Sequence, residues 1–321
     1  MDLSIIIVNW NSKEYLRQCV ASILAETHGI ELEIMVIDNA SYDGSREMLR
    51  QCYPQVRFIQ SDRNLGFAKA NNAAFYKSRG RNVLFLNPDT KLLGPSVNIM
   101  LRYLRQLPNA GVIGCKVLNA DKTIQTSCVQ SFPTILNQIL DSELLRALLP
   151  KSSLWGNALL FGGENGAEEV EAISGACMIV KRSVFEQVGL FSEDYFMYAE
   201  DIDLCYKIKQ AGHKNYYIPD TNVIHFGGGS TEKGPSGSSN VIMRESIWRF
   251  LRKTRGGNYS FIYRISTLIA AVGRMAILTI IFPVYIIRTD RKSWNTSFRK
   301  WGAILSWSFG FGDSVAPPGN Q

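Results

Sequence analysis

The sequence of 321 residues lacks several motifs that define common classes of enzyme and binding protein. Its six cysteines, at positions 19, 52, 115, 128, 177 and 205, include no CxxC pair, which favours a chain with reduced thiols. The first apolar segment is followed by neither a GxGxxG dinucleotide-binding fingerprint nor a P-loop. There is no internal repeat and no aromatic-basic motif for nucleic acid, so we expect no nucleic-acid partner.

The chain starts without the features of a secretory signal peptide. Met1 and Asp2 lead directly into an apolar run, with no basic n-region and no cleavage site. Together with the reduced cysteines, this predicts a cytoplasmic location for the catalytic part of the chain.

Charge is distributed unevenly along the sequence. Residues 1–240 contain 23 Lys and Arg against 25 Asp and Glu, whereas residues 241–321 contain 12 against 3. A basic segment attracts nucleic acid or anionic lipid, and apolar length beside the charge favours lipid. We therefore predict a catalytic domain over 1–240 and a basic, helical membrane-association segment over 241–321.

The tail contains an apolar stretch, Ile265–Ile287, that is long enough to span a bilayer. Arg274 near its middle makes a span costly, and basic residues at both ends give no orientation signal. A second stretch, Trp301–Phe311, has the tryptophans typical of a membrane interface. We favour helices that lie in or dip into the interface; one true span, or a soluble helical subdomain or dimer interface, are the alternatives.

The first 90 residues alternate between apolar strand segments and helical segments. Leu3–Asn9 is an Ile-rich run typical of a buried parallel strand, and Ser12 is placed to cap the helix that follows. The short spacing predicts βαβ units and an α/β domain with a mostly parallel central sheet flanked by helices. Further strands are predicted at Glu33–Ile37, Val56–Gln60, Asn82–Leu86, Gly111–Leu118, Ile173–Val180, Asn215–Ile218 and Asn222–Phe226.

Ligands of open α/β sheets bind at the carboxyl ends of strands, where this sequence places several acids. Taken singly, each candidate has a structural alternative, such as a turn or N-cap residue, a partner of a helix dipole, or a strand-end histidine. The functional hypothesis depends on their occurring together and in this order. The candidates are Asp38, Asp89, Glu200, Asp201, Asp203 and His225.

Seven stretches carry the combination. They are SIIIVNWN at 4–11, VIDNASYDGS at 36–45, NLGFAKANN at 64–72, LFLNPDT at 84–90, ISGACMIVKR at 173–182, GLFSEDYFMYAEDIDLCYKIKQAG at 189–212 and VIHFGGGS at 223–230. As a set they resemble the inverting family-two glycosyltransferases with the GT-A fold, and among them the bacterial rhamnosyltransferase group that acts on lipid-linked glycans. The resemblance covers about 230 residues.

The resemblance implies a role for each matching residue. Asp89 corresponds to the last acid of the family's metal-binding DxD, whose first acid is here Asn87, and His225 is a further ligand for Mg²⁺ or Mn²⁺. Asp201 matches the general base, with Glu200 and Asp203 as orienting or capping groups. Donor-binding residues are implied at Val8, Asn9, Asp38, Asn64, Gly66, Lys69, Asn87 and Gly175; Lys69 has a solvated helix lysine as its alternative.

The expected activity is transfer of a sugar from a nucleotide to a polyprenyl-linked glycan at the cytoplasmic face of the membrane, by a protein that forms a homo-oligomer or acts alone. dTDP-L-rhamnose is the first choice of donor, with UDP-galactofuranose, UDP-GlcNAc and UDP-glucose as alternatives. A nucleotidyltransferase would open with a Gly-rich basic loop, which residues 8–12 lack. A catalytically inactive glycan-binding scaffold would tolerate loss of the acids, which are all present.

Overall fold

The structure, a computed structural model, describes residues 1–140, 143–156, 160, 166–227, 238–282 and 291–311. Contacts divide the chain into two compact units. The first comprises Met1–Phe132, Leu149–Phe196 and Glu200–Glu232, and the second comprises Pro133–Leu148, Met197–Ala199 and Lys233–Gln321. The functional boundary that we predict at residue 240 stays a prediction, because it concerns catalysis and membrane association rather than compactness.

The first unit is built on a nine-stranded mixed sheet with strand order β3-β2-β1-β4-β10-β6-β11-β5, in which β8 also pairs with β11. The strands are β1 Leu3–Asn9, β2 Leu32–Asp38, β3 Arg57–Gln60, β4 Asn82–Leu86, β5 Thr90–Leu92, β6 Ala110–Leu118, β7 Val129–Gln130, β8 Glu168–Val170, β9 Ala172–Ile173, β10 Cys177–Lys181 and β11 Lys214–His225. β7 and β9 form a separate two-stranded sheet. The predicted α/β class is confirmed.

Helices lie between the strands and make up most of the second unit. In chain order they are α1 Lys13–Glu26, α2 Ser45–Cys52, α3 Gly66–Phe75, α4 Ser96–Gln106, α5 Ile135–Leu140, α6 Glu143–Leu148, α7 Arg182–Gln187, α8 Glu200–Gln210, α9 Ser238–Arg255, α10 Gly257–Ile280 and α11 Arg291–Ser308. Part of the predicted apolar stretch, 283–287, lies outside the described residues.

The start of α1 differs from the prediction in one detail. The Ser12 hydroxyl donates to the carbonyl oxygen of Trp10 at 3.0 Å and makes no cap bond. The first free N–H of the helix, on Lys13, instead donates to Oδ2 of Asp43 at 2.8 Å. Asp43, which lies in the loop between β2 and α2, therefore caps α1 in place of Ser12. Sequence spacing alone does not predict this cap, because the two residues come together only in the fold.

Parallel register brings three strand ends to one edge of the sheet. Asn9 pairs with Asp38 across β1 and β2, and Ile7 pairs with Leu86 across β1 and β4. The residues that follow these ends, including Asn87, therefore lie beside one another. The buried apolar strands hold this edge in place, since every residue of β4 is buried.

Two predicted strand boundaries were wrong. In place of the predicted strands Asn215–Ile218 and Asn222–Phe226 there is one strand, β11, which ends at His225 and has a register shift between Ile218 and Asn222 where it pairs with β6. The predicted strand Ile173–Val180 is divided into β9 and β10. Between these two strands the Ser174 N–H donates to the Cys128 carbonyl oxygen and the Gly175 N–H donates to Asp201 Oδ2, so neither bonds to a sheet neighbour.

The second unit contains one described helix that is long and apolar enough to cross a membrane, α10. One face of α10 is buried, at Ser260, Tyr263, Thr267 and Ala271. The Arg274 side chain is not part of the exposed apolar face of α10. Its guanidinium carbon lies 4.5 Å from the centre of the Trp301 ring on α11, and its Nη2 donates to the Ile139 carbonyl oxygen at 3.4 Å. The cost that we assigned to a central Arg is therefore reduced by packing.

Candidate active site

Asp38 is a buried carboxylate at the end of β2, with hydrogen bonds to both of its oxygens. Oδ1 accepts from Asn9 Nδ2 and Ser41 Oγ, both at 2.7 Å. Oδ2 accepts from the Ser41 N–H at 2.8 Å and Gln60 Nε2 at 2.9 Å. Of the three residues that donate these bonds, only Gln60 is exposed. Gln60 therefore makes the most accessible of the four hydrogen bonds to Asp38.

Asp89 and His225 come together because β5 pairs with the end of β11. The register places His225 opposite Thr90, next to Asp89. His225 Nε2 lies 3.2 Å from Asp89 Oδ1 and 3.1 Å from Asn87 Nδ2. The other ring nitrogen, Nδ1, lies 2.8 Å from Oε1 of Gln125. The predicted metal pair is thus adjacent in space, although 136 positions separate the two residues in the sequence.

The chemistry of this donor set fits a divalent cation. A carboxylate oxygen and an imidazole nitrogen are ligands that Mn²⁺ accepts, and a diphosphate supplies further hard oxygens. Neighbouring ligands on an octahedral ion with bonds of about 2.1 Å lie about 3 Å apart, close to the observed separation. Within the described part of the chain no group of three His, Cys, Asp or Glu side chains is placed to hold a metal. Asp89 and His225 supply two ligands, fewer than the roughly six that such a cation takes.

The dipeptide Gly175-Ala176 connects the metal pair to the predicted base. The Gly175 N–H donates to Asp201 Oδ2 at 2.8 Å. The Ala176 carbonyl oxygen accepts from the N–H of Asn87 at 3.0 Å. Asp201 and the Asn87–Asp89 turn are therefore held on two sides of one short backbone segment. A Cβ on Gly175 would make ordinary van der Waals contacts, 3.4 Å from Phe67 Cζ and 3.5 Å from the Cβ of Asp201.

The three acids of α8 have different surroundings. Asp201 accepts from Gly175 and, through Oδ1, from the Ile202 N–H at 2.8 Å. Desolvation by burial nevertheless raises the pKa of the Asp201 carboxyl, with these backbone bonds opposing the rise.

Glu200 and Asp203 occupy supporting positions. Glu200 is buried, and its Oε2 has no hydrogen-bond partner among the described atoms. Desolvation, followed by repulsion from Asp201, raises the pKa of Glu200 well above its usual range. Asp203 accepts from the Ser192 hydroxyl at 2.5 Å and from the Tyr195 hydroxyl at 3.2 Å, and so fixes the preceding loop to α8.

The start of α3 forms a fixed turn beside these groups. Gly66 has a φ of +76°, and a Cβ there would lie 2.3 Å from the carbonyl oxygen of Phe196. Asn64 Oδ1 accepts from the Gly66 N–H at 2.9 Å, so its side chain shapes the turn. Lys69 is exposed on α3. Its donor-binding role stays a prediction.

Sequence reasoning overlooked Gln125, Gln60 and Ser41 as site residues. Gln125 follows β6 and contacts His225, yet lies in a stretch with no recognisable motif. Ser41 lies within the VIDNASYDGS stretch. The small polar residues of this stretch are typical of a turn whose side chains bond to nearby groups, and they are the one signal that could have identified Ser41. The roles predicted for Val8 and Asn9 stay predictions; Asn9 is buried and holds Asp38, Ser41 and Ser45 through one amide nitrogen.

This mixed sheet, with acids at its carboxyl edge, defines a nucleotide-diphospho-sugar transferase of the GT-A type. The family model described as "Glycosyl transferase family 2" matches residues 4–189. The chain belongs to this family and is a glycosyltransferase.

Two relatives are named as rhamnosyltransferases. N-acetylglucosaminyl-diphospho-decaprenol L-rhamnosyltransferase of Mycobacterium tuberculosis is 28% identical over 267 residues, which cover 79% of this chain and 85% of the relative. Rhamnosyltransferase WbbL of Escherichia coli K12 is 28% identical over 232 residues, which cover 69% of this chain and 82% of that protein. The first is named for an acceptor that is linked to decaprenol.

Solved structures of low identity share the fold. The mannosyltransferase PcManGT of Pyrobaculum calidifontis, in complex with GDP-Man and Mn²⁺, aligns with a TM-score of 0.60 and 16% identity. The alignment covers 98% of this chain and 88% of that one. GalNAc-T7 with UDP, GalNAc and Mn²⁺ aligns with a TM-score of 0.57 and 16% identity over 78% of this chain and 48% of its own. These likenesses concern the fold.

Proposed function

We propose that this glycosyltransferase moves L-rhamnose from dTDP-L-rhamnose to a polyprenyl-diphosphate-linked glycan, with inversion, at the cytoplasmic face of the membrane. The observation that carries the catalytic part is the Gly175-Ala176 segment, which bonds to Asp201 on one side and to Asn87 on the other. The choice of rhamnose and of a lipid-linked acceptor is supported by the names of the two bacterial relatives.

The donor is proposed to lie along the carboxyl edge of the sheet. Its base meets the Val8 backbone and Asp38, whose oxygen becomes available when the Gln60 amide is displaced. Its diphosphate lies toward Asp89 and His225, which would hold Mg²⁺ or Mn²⁺ together with phosphate oxygens. The bound cation supplies charge neutralisation for the departing nucleoside diphosphate.

The reaction is a single displacement. The acceptor hydroxyl oxygen forms a bond to the anomeric carbon while the bond from that carbon to the diphosphate oxygen breaks. Asp201 takes the proton that the acceptor hydroxyl loses, so one carboxylate serves as general base. Gly175 holds this carboxylate through its N–H and, having no side chain, leaves room for the acceptor.

The second unit is proposed to bring the enzyme to its lipid-linked acceptor. Residues 241–321 carry a charge balance of 12 basic against 3 acidic residues. The face of α10 opposite its buried residues presents large apolar side chains to solvent; they are Phe261, Ile262, Ile265, Ile269, Val272, Ile277 and Ile280. Apolar side chains combined with basic residues favour binding to an anionic membrane surface.

The donor can be tested by thermal shift with a panel of nucleotide sugars in Mn²⁺. Binding to the native state raises the melting temperature by mass action. dTDP-L-rhamnose should give the largest shift, and transfer should then be detected with a polyprenyl-diphosphate GlcNAc acceptor. A larger shift and transfer with UDP-galactofuranose, UDP-GlcNAc or UDP-glucose would replace rhamnose with that sugar. Binding without any transfer would instead support a glycan-binding scaffold.

A further inference from the structure

His225 is connected to a chain of polar side chains that leads away from the active site. Nδ1 of His225 faces Gln125 Oε1 at 2.8 Å. The Gln125 amide nitrogen donates to Asn119 Oδ1 at 3.1 Å, and the Asn119 amide nitrogen donates to Thr123 Oγ1 at 2.9 Å. The Thr123 hydroxyl in turn donates to Asp121 Oδ1 at 2.6 Å.

The carboxylate at the end of the chain fixes the direction of every bond. Two hydrogen bonds from Thr123 lower the pKa of Asp121, which is therefore an acceptor only at neutral pH. The Thr123 hydrogen is directed to Asp121, so the hydroxyl oxygen is free to accept from Asn119. The Asn119 oxygen must then face the Gln125 nitrogen, and the Gln125 oxygen must face the ring.

The backbone holds this arrangement in place. Asn119 and Thr123 close a turn through a bond from the Asn119 N–H to the Thr123 carbonyl oxygen, at 2.8 Å. The Gln125 N–H donates to the Val117 carbonyl oxygen of β6, also at 2.8 Å. Because β6 pairs in parallel with β11, and Leu118 lies opposite Ile224, Gln125 reaches the ring of His225.

We propose that Gln125 is a positioning residue that keeps His225 in the Nδ1–H tautomer, so that Nε2 presents its lone pair beside Asp89 as a ligand for a divalent cation. The surroundings of Nε2 agree, since Asn87 Nδ2 lies within donating distance at 3.1 Å. Nε2 and Asp89 Oδ1 lie 3.2 Å apart, so one cation can be bound by both atoms once Nε2 carries no proton. Gln125 favours that form by holding the ring proton on Nδ1, and the inference rests on the metal pair of the proposed function.

The tautomer can be measured directly in the metal-free protein. The chain has three histidines, so long-range ¹H–¹⁵N spectra of the full-length protein labelled with ¹⁵N-histidine contain few signals. The signal lost in His225→Ala identifies His225. The wild type should show Nδ1–H at this residue, and a spectrum of the Nε2–H form would overturn the proposal, whether or not any metal binds.

Metal affinity provides the second measurement. Gln125→Met keeps the side-chain length but removes the acceptor, and should lower Mn²⁺ affinity roughly 10–100-fold, as read from the free-Mn²⁺ EPR signal. Gln125→Glu restores an acceptor oxygen and should recover most of the affinity. Gln187→Met is the matched control, because Gln187 Oε1 contacts the unrelated His213 at 3.1 Å.

The outcomes separate the two proposals. Unchanged Mn²⁺ affinity and tautomer in Gln125→Met would refute the role of Gln125 while leaving the metal pair standing. A wild type that does not bind Mn²⁺ alone or with dTDP would refute the metal pair, and the wild-type spectrum would still decide the tautomer. If Gln125→Met does not fold, Gln125→Glu and the wild-type spectrum remain decisive.

Discussion

The Gly175 N–H donates to Oδ2 of Asp201 at 2.8 Å and holds that carboxylate in place. Asp201→Asn keeps the shape of the side chain and removes its basicity. Loss of a general base costs roughly 10²–10⁴-fold, and we expect transfer to fall by that factor. Binding of the nucleotide sugar, measured by calorimetry, should change only a few-fold, because this side chain is assigned to the acceptor.

Glu200→Gln is the control for that experiment, since the neighbouring acid is also buried and lacks a partner for Oε2. A larger loss of transfer in Glu200→Gln than in Asp201→Asn would move the base to Glu200. Loss of donor binding in Asp201→Asn would show that the assignment of sides is wrong.

The pH dependence of transfer should reflect the burial of Asp201. A general base acts in its ionised form, so the rate should fall as the pH is lowered through the pKa of Asp201. Because burial raises that pKa above the ordinary value of 3.8, the acid limb should lie at a higher pH than an exposed Asp would give. The pH profile of kcat/KM measures the limb.

The same shift has a consequence of opposite sign for stability. In the window between the unfolded and the raised folded pKa, the native state binds more protons, so stability falls as pH rises.

The residual activity of Asp201→Asn should lack the acid limb. If the limb persists there unchanged, another group titrates in its place.

The metal pair predicts a requirement for a divalent cation. Asp89→Ala removes the carboxylate that lies 3.2 Å from His225 Nε2, and should abolish transfer and weaken dTDP binding at least tenfold in Mn²⁺. The Asp89→Ala protein should bind dTDP equally with Mn²⁺ and with EDTA, whereas the wild type should bind better with Mn²⁺. Full wild-type activity in excess EDTA would contradict the prediction.

The sheet could be predicted because its signals are local. The buried strand at Leu3–Asn9 and the periodicity of the helix that follows can both be recognised from consecutive residues. The proximity of Asp89 and His225 was expected only through the family resemblance, because neither segment contains a sequence pattern that predicts the pairing of β5 with β11. Gln125 was beyond reach for the same reason: its role depends on a strand pairing and not on its neighbours in sequence.

Burial was also beyond sequence reasoning. The sequence places Asp201 at the start of a helix, and a helix N-terminus by itself lowers the pKa of a carboxyl group. In the tertiary structure Asp201 is half-buried, and desolvation determines the direction of its pKa shift.

Gly66 should tolerate no side chain. Alanine at a φ of +76° is strained, and its Cβ would lie 2.3 Å from the Phe196 carbonyl oxygen, so the turn must open. We expect Gly66→Ala to lower the free energy of unfolding by roughly 3 kcal/mol, measured by urea denaturation. Gly94→Ala is the matched control, because Gly94 has a φ of +95° with nothing within 4 Å of a Cβ. It should cost about 1 kcal/mol, from backbone strain alone.

The difference between the stability losses of Gly66→Ala and Gly94→Ala measures the contribution of the contact with Phe196. Equal losses would mean that the contact with Phe196 adds nothing to the strain of the left-handed conformation. A near-neutral Gly66→Ala would mean that residues 64–67 rearrange freely, and the fixed turn beside the donor site would have to be abandoned.

The exposed face of α10 should determine membrane binding. Ile269 is 67% exposed and lies between Ile265 and Val272 on the apolar face. Ile269→Glu places a charge where we expect acyl chains, and a cost of at least about 1.4 kcal/mol lowers partitioning into phosphatidylglycerol vesicles at least tenfold. Sedimentation with vesicles measures the bound fraction, and thermal shift with the donor checks that the first unit is intact.

Tyr76→Glu is the control for that variant, because Tyr76 is 74% exposed in the first unit and is also a large side chain changed to Glu. It should bind vesicles like the wild type. Binding of the wild type should weaken at high salt and with neutral lipid, since the basic tail is attracted to anionic headgroups. If Ile269→Glu remains bound while salt alone releases the protein, charge and not the apolar face holds the enzyme at the membrane. If neither change releases it, the helix spans the bilayer, because a spanning helix is not displaced by one exposed charge or by screening.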